Sequence, residues 1–161
     1  RKSFMRKTSG LEILGILTLG LLMAGCERDY QWDPTNIDEG AADRPFETLE
    51  SGTKWRLLRD TGKRKPDPDE GYWLHYKGWH IDDDGTEVLF DQSYGMGVGS
   101  YFGAGQTVPG FYEGMLNCPE GGMIELEIPP DQGYGDKELE LIPANTTLHF
   151  RIELIRIENY N

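Results

Sequence analysis

Six large apolar residues, Tyr76, Phe90, Phe111, Tyr134, Ile142 and Phe150, fall at strand ends or in loops and are interleaved with Gly and Pro. Such a set does its chemistry as a surface: it encloses a ligand, strips away water and holds an orientation, without moving a proton or an electron pair. The other chemistries fail on spacing. Gly95-Met96-Gly97-Val98-Gly99 lacks the third spacing of a dinucleotide loop and is followed by neither Lys-Ser/Thr nor a long helix. Asp82, Asp83 and Asp84 are contiguous, so they cannot supply the alternating ligands of a calcium loop and read as a solvated hairpin tip. His75, His80 and His149 are scattered over strands, two of them at presumed outward positions, and no Cys or His stands at metal-ligand spacing. No Ser pairs with a His in a nucleophile motif. Cys118, flanked by Asn117, Pro119 and Glu120, has no activating neighbour and reads as a partly buried thiol.

The elements that position these residues are mostly strands. In Tyr72-Trp73-Leu74-His75-Tyr76 the even positions form one apolar face and Trp73 and His75 the other. Asp83-Asp84-Gly85 gives an Asp-Gly turn and Glu87-Val88-Leu89-Phe90 returns beyond it, so the pair reads as a hairpin. Met123 to Ile128 alternates with Ile124, Leu126 and Ile128 inward and Glu125 and Glu127 outward. Leu148, Phe150, Ile152 and Leu154 alternate with His149, Arg151 and Glu153 in the clearest strand of the chain. One short helix is expected from Pro109 to about Leu116, because Pro suits a first helical turn and Phe111 and Met115 are spaced i, i+4. Antiparallel sheet with one brief helix is an α+β plan.

The chain has 161 residues, room for one ordinary domain plus tails. Its 28 acidic against 16 basic residues give a formal net charge of −12, a field that repels phosphate backbones, so nucleic acid is not an expected partner. Hydrophobic residues at 37% exclude a polytopic membrane protein, while 8 Tyr, 6 Phe and 4 Trp argue against wholesale disorder.

The first residues carry Arg1, Lys2, Arg6 and Lys7, followed by an uncharged run from Ile13 to Ala24. That run is shorter than the roughly 20 apolar residues a bilayer span needs. A basic start, a short apolar stretch and small residues at the exit describe a secretory signal. The exit reads Leu22, Met23, Ala24, Gly25, Cys26 and resembles a bacterial lipobox, in which the Cys26 thiol receives diacylglycerol. A plain signal peptide or a short uncleaved anchor is the alternative. Residues 1–25 are thus expected to be a lipoprotein signal peptide and 26–47 a flexible acidic tether, since Glu27 to about Glu47 mixes Asp, Glu, Pro, Asn and Gly without periodicity. Glu27 after the cysteine, by resemblance to lipoproteins of double-membraned bacteria, suggests release to the outer membrane, facing the periplasm. With Cys26 acylated, Cys118 has no disulfide partner and the domain must be held by its core.

Five runs, LHYKG (74 to 78), DDGTEVLFDQSY (83 to 94), GQTVPGFYEGM (105 to 115), IPPDQGYGD (128 to 136) and IPANTTLHFRIELIRIE (142 to 158), occur in the order of the FKBP-type peptidyl-prolyl cis-trans isomerases, and residues 48–161 resemble that family. The resemblance implies a twisted antiparallel sheet of about five strands wrapped around one short helix. It also implies an isomerase without cofactor or metal, proline-containing polypeptides as partners, and a pocket for macrolide inhibitors of the FK506 and rapamycin type. Tyr76, Phe90 and Asp91 match one wall of the family's pocket, with Asp91 ordering neighbouring tyrosine hydroxyls. Val108 matches the residue whose backbone N–H bonds a substrate carbonyl, and Tyr134 the tyrosine whose hydroxyl reaches one. Phe111 stands where the family most often has a tryptophan floor, which makes the proline seat smaller. Ile142 and Phe150 complete the lining. Two departures stand out: an additional pocket aromatic before the helix falls near Val98 and Gly99, and the loop from Tyr134 to Ile142 is one residue short and unusually acidic. The Phe111 departure and the Val98 region leave open a second reading, a slow or non-catalytic peptide-binding chaperone module on the same fold.

Overall fold

The computed structural model describes residue 33, residues 35–94 and residues 99–158. The signal-like segment, Cys26, Trp32 and residues 95–98 of the glycine run lie outside the described residues. Seven strands follow in chain order: β1 (Glu47–Thr48), β2 (Lys54–Arg59), β3 (Gly71–Ile81), β4 (Glu87–Gln92), β5 (Ser100–Phe102), β6 (Met123–Ile128) and β7 (Leu148–Glu158). They pair antiparallel in the order β1-β2-β6-β7-β3-β4, with β5 also on β3. The α+β plan holds, and seven strands correct the expected five or so. The two-residue β1 and three-residue β5 are too short to leave a period-two signature in sequence.

The one α-helix among the described residues, α1 (Pro109–Met115), lies across one face of the sheet. Seven residues do not make a stable helix alone. Its place comes from burying Phe111 and Met115 against Leu126, Ile128, Leu148, Phe150 and Ile152, at about 1.5 to 3 kcal/mol for each large side chain. Two glycines allow the approach: a Cβ at Gly110 would stand 2.4 Å from Ile128 Cγ2, and one at Gly114 would stand 2.6 Å from Leu126 Cδ2.

The opposite face is not solvated, and here the structure departs from the alternation. Glu125, Glu153 and His75, placed outward by pattern, are all buried. Residues from Thr35 to Phe46, read as free tether, cover this side. Ala41 is buried with Leu58 and Met123, the Asp38 N–H bonds the Leu58 carbonyl at 2.8 Å, and Arg44 bonds the Leu57 carbonyl at 3.0 Å. Under this cover lies an ionic layer: Arg56 and Arg151 reach Glu125 at 3.3 and 3.4 Å, and Arg59 bonds Glu153. Alternation reports two faces but not what a preceding segment lays over one of them.

Candidate active site

A cavity of about 350 Å³ opens between the helix-bearing face of the sheet and the β6–β7 crossover, and all eight residues singled out from sequence line it. β3 supplies Tyr76, β4 Phe90 and Asp91, the residue before α1 is Val108, α1 itself carries Phe111, and β7 carries Phe150; Tyr134 and Ile142 come from the crossover. The rings meet edge to face, the arrangement their quadrupoles favour. Phe111 and Phe150 are 5.0 Å apart at 90°, Phe90 and Phe150 5.6 Å at 80°, and Tyr76 and Phe111 6.3 Å at 87°. Phe111, only 3% exposed, forms the floor.

The aromatic expected near Val98 and Gly99 is Phe102 instead. It lines the cavity from β5, 6.0 Å from both Tyr76 and Phe111. Sequence alignment by motif misplaces it because no element boundary is visible between Tyr94 and Ser100. Gln106, Thr107, Leu139, Glu140 and Leu141 also line the cavity and were not picked out. Leu139 and Leu141 carried a signal, being large apolar residues in an otherwise acidic loop.

Polar groups are few. The Tyr76 hydroxyl donates to Asp91 Oδ2 at 2.6 Å, and the Gln92 N–H donates to Asp91 Oδ1 at 2.8 Å. Burial, and next this bond to a carboxylate, push the Tyr76 hydroxyl well above its usual pKa, so it stays protonated and serves as an anchor for its ring. β3 runs unbroken along β7, but on its other edge the partner changes at Tyr76: β5 pairs its first part, β4 its last. Ser93 fills the break, its N–H donating to the Tyr76 carbonyl at 3.0 Å and its hydroxyl accepting the Tyr76 N–H at 2.9 Å. A strand edge that opens toward the cavity is thereby kept satisfied and rigid.

Two donors of lining residues are left without a protein partner. The Val108 N–H and the Tyr134 hydroxyl have no hydrogen-bond partner among the described residues, and Tyr134 is 36% exposed. Val108, at φ −59° and ψ 149°, is extended just before the helix, and its carbonyl caps the Phe111 and Tyr112 N–H groups. No group of three or more His, Cys, Asp or Glu among the described residues could hold a metal ion. Cys118 is fully buried, and burial pushes its thiol up to about 12. The geometry offers enclosure, a dry aromatic wall and two hydrogen-bond donors.

Known proteins are similar to this chain in sequence and in fold. The chain is 33% identical over 118 residues to the FKBP-type peptidyl-prolyl cis-trans isomerase FkpA of Escherichia coli (strain K12), covering 73% of this chain and 42% of that relative. It is 39% identical over 100 residues to FK506-binding protein 2 of Aspergillus fumigatus, covering 61% of this chain and 72% of the relative. The crystal structure of FkpA from Escherichia coli superposes with a TM-score of 0.63 at 32% identity, over 74% of this chain and 55% of that one. That of AtFKBP13 gives 0.61 at 28%, over 70% and 98%. Against several curated relatives the chain spans only a third to a half of their length (33%, 49% and 42%). Residues 62–155, which carry β3 to β6, most of β7, the helix and every side chain that lines the cavity, match the profile of one family, and the chain belongs to the FKBP-type peptidyl-prolyl cis-trans isomerases.

Proposed function

We propose that the protein catalyses cis-trans isomerisation of Xaa-Pro bonds in other polypeptides. The observation that carries this reading is the meeting of eight residues from separate segments in one aromatic cavity, with a backbone N–H and a tyrosine hydroxyl left free at its edge. Rotation about an amide costs about 18 to 20 kcal/mol because resonance is lost. The unaided prolyl bond turns over in roughly tens to hundreds of seconds. A twisted amide has less charge separation than a planar one, so a cavity that replaces water with rings favours it relative to the ground state. The Val108 N–H and Tyr134 hydroxyl hold the flanking substrate carbonyls while the bond rotates. No acid, base or nucleophile is needed, and the protonated Tyr76 fits that role. The test is exchange on a short Xaa-Pro peptide. Acceleration is expected, with Tyr134→Phe lowering kcat/KM by about fivefold, the worth of one hydrogen bond of roughly 1 kcal/mol. Peptide binding without acceleration favours the chaperone reading instead. Macrolides of the FK506 and rapamycin type are expected to compete with peptide for the same cavity.

The protein's place is part of this proposal: export, acylation at Cys26 and tethering to the outer membrane facing the periplasm, where it assists folding of envelope proteins. The basic start, the Ile13 to Ala24 run and the small pair before Cys26 support it. Labelling of the full-length chain in a bacterium with a radioactive fatty acid is expected to vanish in Cys26→Ser; equal labelling of the variant removes the anchor.

A further inference from the structure

One wall of the cavity owes nothing to the aromatic set. The Leu139 N–H donates to the Ile142 carbonyl at 2.9 Å and the Ile142 N–H to the Leu139 carbonyl at 3.2 Å, closing a two-residue turn with Glu140 and Leu141 at its tip. The tip is held from the sheet. His80, 3% exposed, places Nε2 at 3.1 Å from the Leu141 carbonyl, and because a carbonyl only accepts, Nε2 is the donor. Glu140 is exposed, lines the cavity and makes no ion pair among the described residues. The other carboxylate of the lining, Asp91, is already occupied by Tyr76 and Gln92. No Lys, Arg or His lines the cavity. The loop carries Asp136 and Glu138 as well, against Lys137, which stands outside the lining. A segment entering the cavity therefore meets one uncompensated negative charge at a fixed place.

We propose that Glu140 is a specificity-determining residue that favours polypeptides with Lys or Arg beside the proline and disfavours those with Asp or Glu there. The proposal rests on the cavity being the prolyl seat. His80 is then a positioning residue, acting through the Leu141 carbonyl. An exposed charge contributes little to the affinity of any single peptide. It acts with opposite sign on a cation and an anion, however, so the contrast between the two doubles its effect, and salt screens it.

The experiment compares three peptides that differ only before proline, with Lys, Leu or Glu, by kcat/KM for exchange on the full chain at low and high ionic strength. The lysine-to-glutamate ratio is expected at about fivefold in low salt, from an exposed pair acting twice with opposite sign, and to fall toward one in high salt. Glu140→Gln is expected to reduce that ratio at least by half and Glu140→Lys to invert it. His80→Ala is expected to narrow the ratio with Glu140 in place, by freeing the turn. A ratio unchanged in Glu140→Gln overturns the proposal and assigns the preference to the general negative field. Acceleration of the leucine peptide without any charge preference overturns it while sparing the isomerase reading. Acceleration of none of the three defeats the isomerase reading, and calorimetric affinities for the same peptides then decide the charge preference by the same ratio.

Discussion

Gly78→Ala is expected to lower kcat/KM for prolyl exchange by about a hundredfold, the size of effect that a displacement near 1 Å produces at a positioned site. A Cβ at Gly78 would stand 2.7 Å from Phe150 Cε1 and 2.7 Å from Phe90 Cε2. Both rings line the cavity and rest on each other 5.6 Å apart. Neither can retreat freely, because Phe150 is also wedged against Phe111 and Tyr76 at 5.0 and 6.4 Å. The added methyl must displace one of these two rings and so change the shape of the cavity wall. Overpacking of this kind also costs stability, about 1 to 3 kcal/mol. The two losses separate in a double variant. Phe90→Ala in the Gly78→Ala background opens room for the methyl and is expected to recover part of the urea midpoint, while exchange stays slow because a wall is missing. Full activity in Gly78→Ala means that the rings move without consequence and that the cavity is not shaped by them.

How much of this could be read from the chain varies with the range of the interaction involved. The helix lies at Pro109–Met115 where Pro109 to about Leu116 was expected, and Met123–Ile128 and Leu148–Glu158 form strands where alternation put them. These are local signals, and they survive because the helix-bearing face keeps a true inside and outside. The Asp-Gly turn is also local: Gly85 takes φ +86°, and the Gly85 N–H bonds the Asp82 carbonyl at 2.8 Å. The eight cavity residues were found as a set, through their order, and not one by one, since a lone Phe90 or Ile142 looks like any core residue. Phe102 and the Glu140 turn were missed because each depends on an irregular segment whose path is set by partners distant in sequence, β3 for one and His80 for the other. The burial of Glu153 was hidden for the same reason: the residues that cover it precede it by more than a hundred positions.

That burial carries the largest expected loss of stability. Arg59 bonds Glu153, and the same guanidinium donates to the Gly121 carbonyl at 2.9 Å and to the Asn36 carbonyl at 3.0 Å, so it joins β2, β7 and the covering segment. The Glu153 side chain is 4% exposed and that of Arg59 14%, and Glu153 Oε2 has no partner. Arg59→Met leaves that carboxyl buried without its cation, a change that costs about 3 to 5 kcal/mol once the carboxyl is ionised. Burial pushes the Glu153 carboxyl up to about 8 from an ordinary 4.5. A carboxyl whose folded pKa lies above its unfolded one contributes stability in full below pH 4.5 and loses it as pH climbs through about 8. The parent itself loses this stability between pH 4.5 and about 8, and Arg59→Met, whose carboxyl lacks the cation and ionises at a still higher pH, loses it there at the same slope; the deficit of the variant is therefore expected to stay level up to about pH 8 and to widen above it, by at most about 1.4 kcal/mol per unit. Urea midpoints for both proteins across that window and above it measure it. Adding Glu153→Leu to Arg59→Met removes the group that would be stranded and is expected to restore most of the loss above about pH 8 and to flatten the difference. A deficit independent of pH assigns the damage to the lost Asn36 and Gly121 bonds, and the covering segment, not the ion pair, then becomes what Arg59 holds in place.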